Sequence, residues 1–383
     1  MTETDDRAEP TGDRSVVISI DAMGGDKGVA AVIGGMQKSA QKNDAIRFLV
    51  HGDEEQIGPL LKKRPALAAR TEIRHTTRVI AMDEKPSRAL RSGKESSMRG
   101  ALDAVSAGEA TVAVSCGNTG ALMAMSMLAL RKVPGVNRPA IAILWPSRNE
   151  AGYAIMLDVG ADIRADAQDL MTYAVMGASY ARNGFGIKRP RVGLLNVGTE
   201  DHKGRSELHE AAELIAGIAD RSDFDYIGYV EGTDMPSGKV DIIVTDGFTG
   251  NVAIKTAEGT AKMISRMLRD AFQYSPLSRI GALFALTSLR RLQKRIDPRR
   301  VNGGVFLGLN GIVVKSHGGA DATGVSAAIK LAFRLAQSGF SDKLAARVAS
   351  GLAVISEDRP DEDPAAEPPD QTEGTGPKAD EAP

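Results

Sequence analysis

A chain of 383 residues, 42% hydrophobic and 25% charged, can build one large core or two smaller ones. Its formal net charge of −1 identifies no partner by itself. The single cysteine, Cys116, excludes an internal disulfide and favours a reducing compartment. Residues 1–14 are polar and acidic, without the apolar core of a signal peptide. No apolar run approaches the roughly 18–20 residues needed to span a bilayer; the alanine-rich run 121–130 reads as a buried helix. The expectation is a cytoplasmic protein.

In chain order, a disordered tail is expected over 1–14, a folded unit over 15–356, and a second tail over 357–383. The second tail is rich in Pro, Asp and Glu and lacks the large apolar side chains that would order it. Within the folded unit, short β-branched or apolar runs predict strands at 16–20, 47–51, 111–115, 140–144, 154–158, 191–196, 226–230 and 241–245. Several are apolar throughout, as strands covered on both faces are. Helical patterns lie between them at 97–107, 121–132, 167–182, 206–219 and 252–272. The alternation predicts an α/β fold with a largely parallel sheet and helices on both sides.

Four strand ends run into glycine-rich loops: Asp21-Ala-Met-Gly-Gly-Asp26, Cys116-Gly-Asn-Thr-Gly120, Asn196-Val-Gly-Thr-Glu-Asp-His-Lys-Gly204 and Asp246-Gly-Phe-Thr-Gly-Asn251. In a parallel sheet such loops gather at the carboxyl ends of the strands. There, glycine backbones and helix N-termini suit an anion, and Thr119, Thr199 and Asn251 add neutral donors. A phosphate or phosphorylated ligand on one rim is therefore expected. No loop carries a Walker A or Gly-x-Gly-x-x-Gly pattern, and the five histidines show no metal-ligand spacing. The reading requires no cofactor.

Six segments, Asp21-Ala-Met-Gly-Gly-Asp26, Ser115-Cys-Gly-Asn-Thr-Gly-Ala121, Leu157-Asp-Val-Gly-Ala161, Gly193-Leu-Leu-Asn-Val-Gly-Thr-Glu200, Asp246-Gly-Phe-Thr-Gly-Asn251 and Lys315-Ser-His-Gly-Gly319, form an ordered set that resembles the PlsX family. Those proteins are acyl-carrier-protein:phosphate acyltransferases. The resemblance runs from about Val16 to Phe333. It implies a three-layer α/β/α fold related to phosphotransacetylases and isopropylmalate-type dehydrogenases, and a homodimer. It also implies transfer of a fatty acyl group from acyl carrier protein to inorganic phosphate. Departures fall at Asp162, where the family usually has Asn, at Cys116, and at Asn302, where Tyr is common.

With that reaction in view, the loops are expected to seat substrate and phosphate at Asp21, Gly24, Gly25, Asp26, Gly117, Asn118, Thr119, Gly120, Thr199, Asp246, Gly247 and Gly250, with residues 117–120 as the phosphate cradle and with loop fixing or the positioning of basic groups as the alternative for Asp26 and Asp246. Lys203 would orient phosphate or stabilise the oxyanion; a solvated loop lysine is the plain alternative. Asn251 would polarise the thioester carbonyl, cap its helix, or both. His317 would protonate the departing thiolate or serve as a structural histidine. Because phosphate is itself the nucleophile, Cys116 reads as a small buried residue.

Residues 277–300 change character. Leu277, Ile280, Phe284, Leu289, Leu292 and Ile296 recur at helical spacing, and six Arg and Lys crowd the end. Such a segment suits a membrane surface, acidic acyl carrier protein, or the core and dimer partner. PlsX-like proteins carry a membrane-associating hairpin at the corresponding place, and their lipophilic product passes to a membrane glycerol-3-phosphate acyltransferase. Nucleic acid is not an expected partner, since no binding motif or interleaved aromatics accompany the basic cluster. Two rival readings are a phosphotransacetylase using coenzyme A and a membrane-recruited scaffold without activity.

Overall fold

The computed structural model describes residues 15–296 and 303–357. The expected tails and Asn302 lie outside them, apart from Glu357, which closes the last helix. The first stretch of chain holds β1 (Val16–Asp21), α1 (Gly28–Ala40), β2 (Ile46–Gly52), α2 (Glu54–Lys62), α3 (Pro65–Ala68), β3 (Thr71–His75), α4 (Pro86–Ser92), α5 (Ser97–Ser106), β4 (Val112–Ser115) and α6 (Thr119–Leu130). The middle holds β5 (Ala140–Pro146), β6 (Tyr153–Leu157), α7 (Ala167–Phe185), β7 (Arg191–Leu195), α8 (Ser206–Ile218), β8 (Asp225–Val230) and β9 (Ile242–Val244). A long helical pair, α9 (Gly247–Gln273) and α10 (Pro276–Ile296), precedes β10 (Gly304–Leu307), β11 (Ile312–Lys315), α11 (Ala322–Gln337) and α12 (Phe340–Glu357).

All eight expected strands are present. Three more complete the sheet, in the order β3-β2-β1-β4-β11-β10-β5-β6-β9-β7-β8. The central strands are buried on both sides because helices cover both faces. Val112 and Val114 face the core beneath α1, α7, α11 and α12, while Ala113 faces a second core with α4, α5 and α6. This is the three-layer α/β/α arrangement. Helix starts follow local chemistry: Ser96, Asn118, Asp166, Asp246 and Asp321 each cap a helix by accepting a backbone N–H. Gly186 closes α7 with φ +75°, the left-handed conformation that glycine adopts without strain.

The expectation of a single rim needs correction. Strands β3, β2, β1, β4 and β11 are parallel, and β6, β9, β7 and β8 are parallel. Between the two sets, β10 pairs antiparallel with β11 and β5, and β5 pairs antiparallel with β6. Three successive reversals make the two halves run in opposite directions. The loops after β1, β4 and β11 therefore leave one edge, and those after β6, β7 and β9 leave the other.

Candidate active site

A cavity of about 540 Å³ runs along β5, from Ile141 to Trp145 and Pro146. At roughly 3.3 Å per strand residue, that floor is about 17 Å long. One end lies beside Val159 and Gly160, just after β6; the other lies beside Gly303 and Gly304 at the start of β10. Helix α9 leaves β9 and returns along the same face, lining the cavity from Asn251 to Ala261. That return explains how loops from opposite edges share one site. Asp26, Thr119, Lys315, Ser316, His317 and Gly318 complete the wall.

The three loops at the β1, β4 and β11 edge are bolted together. Asp21 is 1% exposed and accepts from the Ser97 hydroxyl at 2.7 Å, the Ser115 hydroxyl at 2.7 Å and the Met23 N–H at 3.2 Å. Its oxygens are committed to the loop. Asn118 caps α6 through Oδ1, and its Nδ2 donates to the carbonyls of Ala81, Met82 and Glu84. Asp26 N–H donates to the Gly318 carbonyl at 2.9 Å, and Ser316 N–H to Ser115 at 2.9 Å. Gly24 fills a close approach: a Cβ there would lie 2.8 Å from the Gly117 backbone. Of the residues expected at these loops, Asp26 and Thr119 reach the cavity. Asp21, Gly24, Gly25, Gly117, Asn118 and Gly120 lie in its supporting wall.

Lys315 supplies the buried cation of this wall. It is 9% exposed, and its ammonium donates to the Ser316 carbonyl and, at 3.4 Å, to that of Cys116. Burial pulls it down to about 8, against the opposing influence of Asp21 and Asp26. Burial also pushes the Cys116 thiol up, away from the thiolate a nucleophile needs. His317 accepts the Gly319 N–H through Nδ1 at 3.1 Å, so its neutral ring carries the proton on Nε2. Partial desolvation holds His317 below the ordinary imidazole value; Lys255, Lys315 and Lys262 add to this, and Glu258 opposes it.

The opposite end is organised by Asp158, which is fully buried. Its carboxylate accepts from Ile141 N–H at 2.7 Å, Asp162 N–H at 2.7 Å and Ala161 N–H at 2.9 Å. Burial nevertheless raises it to about 6, these N–H groups pulling the other way. The same turn receives α9. Gly247 N–H donates to the Asp162 carbonyl at 2.8 Å, and a Cβ on Gly250 would overlap the Asp158 carbonyl oxygen. Asp246 caps α9 by accepting from the Thr249 N–H and hydroxyl, and it pairs with Arg205 at 2.7 Å. Asn251, one position beyond Gly250, faces Gly160 and the cavity; the cap is Asp246, not Asn251.

The loop after β7 is built differently. Asn196 Nδ2 and His209 Nε2 both lie 2.9 Å from the Lys203 carbonyl. The Lys203 ammonium pairs with Glu200 at 2.7 Å on the exposed surface, which raises it above the ordinary lysine value. Neither Lys203 nor Thr199 lines the cavity. Lys255 and Glu258, which belong to none of the glycine-rich loops, do line it. Their signal was helical spacing: Lys255 follows Asn251 by four residues and Glu258 by seven, which stacks them on one face. Lys315 heads the Lys-Ser-His-Gly-Gly segment, and nothing in that segment's composition marks it as buried.

Beyond the cavity, α9, α10 and the turn between them carry Met263, Met267, Tyr274, Leu277, Ile280, Leu283 and Phe284 at 52–91% exposure. Side chains after Leu289 in α10, which include the basic cluster, lie outside the described residues. Among the described residues no helix is long and apolar enough to cross a membrane.

Solved structures share the architecture. A phosphotransacetylase from Streptococcus pyogenes superimposes with a TM-score of 0.57 at 17% identity, covering 84% of this chain and 94% of its own. A 4-hydroxythreonine-4-phosphate dehydrogenase from Klebsiella pneumoniae gives 0.50 at 12% identity, covering 85% and 98%. The fold is therefore that of the phosphotransacetylase and dehydrogenase-like α/β enzymes. The model of the family described as "Fatty acid synthesis protein" matches residues 16–343. A Paracoccus denitrificans protein named phosphate acyltransferase is 67% identical over 348 residues, 91% of this chain and 94% of the relative. The chain belongs to this family, the PlsX family, and the enzyme class read from its motifs, phosphate acyltransferase, is the one its relatives carry.

Proposed function

We propose that this enzyme transfers a fatty acyl group from the thioester of acyl carrier protein to inorganic phosphate, releasing acyl phosphate and free carrier protein for glycerophospholipid synthesis. The observation that carries the reading is one cavity with Lys255, Lys315, Thr119, Asn251 and His317 on its walls, in a chain whose relatives are named for phosphate and acyl transfer. Cations and neutral donors hold the phosphate beside the thioester carbonyl. A phosphate oxygen forms the new bond to the carbonyl carbon, the C–S bond breaks, and the phosphate's proton ends on the departing sulfur. In this scheme Asn251 donates to the developing oxyanion, and the Nε2–H of His317 faces the leaving group. Lys203 joins from outside the cavity wall, leaving Glu200 for the incoming substrate.

Acyl carrier protein, a second copy of this chain and a membrane surface are the partners we assign to the exposed apolar residues of α9 and α10. Lipophilic acyl phosphate would then pass to a membrane glycerol-3-phosphate acyltransferase. The test is incubation of the protein with palmitoyl-carrier protein, with and without phosphate. Acyl phosphate appearing only with phosphate is the expected result. Equal thioester loss without phosphate, or turnover of acetyl-coenzyme A in its place, would reject the reading.

A further inference from the structure

The cavity has two chemically distinct long walls. Helix α9 turns Asn251, Lys255 and Glu258 towards the loops after β4 and β11, where His317 responds to Lys255, Glu258 and Lys262. The adjoining stripe of the same helix, Ile254, Ala257 and Ala261, repeats at three and four residues and so forms one continuous face. Opposite it on β5 stand Ile141, Ile143 and Trp145, alternate residues of one strand and therefore on one face of the sheet. Asn251 to Ala261 covers about 15 Å of helix, close to the length of the β5 floor. Gly304 leaves that floor bare, since a Cβ there would lie 2.8 Å from Ile141 Cγ2. Two alanines and a glycine thus keep open an apolar trough beside the cationic wall.

We propose that this trough between α9 and β5 seats the acyl chain, and that Ala257 and Ala261 set how long a chain it accepts. The assignment rests on the acyl-transfer reading above and adds to it the seat of the chain. Phosphate occupies the polar wall; the chain lies along Ile141, Ile143 and Trp145, with its carbonyl towards Asn251. A larger side chain on α9 fills the trough from the helix side, where Ala257 and Ala261 are only half-buried, so the fold tolerates it.

Ala257→Leu and Ala261→Phe test this, each first matched to the parent protein by thermal melting. Phosphate-dependent turnover is measured with palmitoyl- and butyryl-carrier protein. The ratio of kcat/KM for the long chain over the short one falls by on the order of tenfold or more, because a hydrophobic site discriminates by the volume it offers. An unchanged ratio, whether both rates fall or neither does, overturns the assignment while leaving the reaction standing. Binding of a fluorescent long-chain fatty acid separates the two claims further. If the parent protein turns over neither thioester yet binds the probe, and Ala261→Phe does not, the reaction fails and the trough stands. Equal probe binding by parent and variant overturns the trough.

Discussion

The loops after β4 and β7 look alike in sequence, each a glycine-rich turn following an apolar strand, yet the structure uses them in opposite ways. The first is locked to its neighbours: Asn118 spends its amide on three carbonyls, and Lys315 reaches across to the Cys116 carbonyl. The second is held by its own backbone and leaves Lys203 in a surface ion pair. What separates them is strand direction. The β10–β5–β6 reversals send the second loop to the far edge of the sheet; from that edge the turn after β6 and helix α9 reach the cavity, and Lys203 does not. Glycine content marks a turn; the topology decides whether the turn lines the cavity.

Substitutions on the two sides separate these roles. Asn251→Ala removes a donor from the cavity and lowers kcat on the order of 100-fold, the usual cost of one oxyanion contact; steady-state kinetics with saturating phosphate read it directly. Lys203→Ala cuts turnover by at least about tenfold, or roughly 1.4 kcal/mol of transition-state stabilisation. Its pair with Glu200 is exposed and screened by solvent, so the melting temperature barely moves. Turnover equal to the parent would leave the reaction to the cavity's own cations.

Titration sharpens the contrast more gently. Lys315 falls to about 8 through burial, so raising the pH from 7 to 9 leaves about tenfold less of its ammonium. The KM for phosphate rises several-fold over that interval, and Lys315→Met lacks the inflection. The sign for stability follows from the same depression: the folded state holds fewer protons than the unfolded state above about pH 8. The Lys315 contribution therefore rises with pH through that window.

The smallest effect expected is at Asp162. Among the described residues its Oδ2 is buried without a hydrogen-bond partner, and its charge helps to raise Asp169 to about 6, after burial and Asp166. Asp162→Asn removes that charge and stabilises the fold by about 1 kcal/mol, read as a higher urea midpoint with unchanged slope.

Much of this architecture is legible in the sequence. Uniformly apolar runs such as Val-Ala-Val at 112–114 announced doubly covered strands, and the order of six motifs announced the family. Strands β10 and β11 were not read, being four residues each and following a segment dominated by arginine. Missing them concealed the reversal at the centre of the sheet, which is why one rim was expected. Thr119, Asn251 and His317 line the cavity and are legible in the sequence because loops and helix starts expose polar groups. Asp21 and Asn118 are equally polar loop residues but spend their atoms on neighbouring backbone and hydroxyls, a distinction that only three-dimensional partners reveal. Lys255 was legible as the next turn after Asn251.

The central claim is that phosphate sits on the wall shared by α9 and the loops after β4 and β11. A crystal of the full chain soaked in inorganic phosphate tests it most directly. The account predicts an anion in the cavity within hydrogen-bond reach of Lys255, Thr119 or His317. An anion bound instead at Glu200–Lys203, with the cavity holding none, would contradict it.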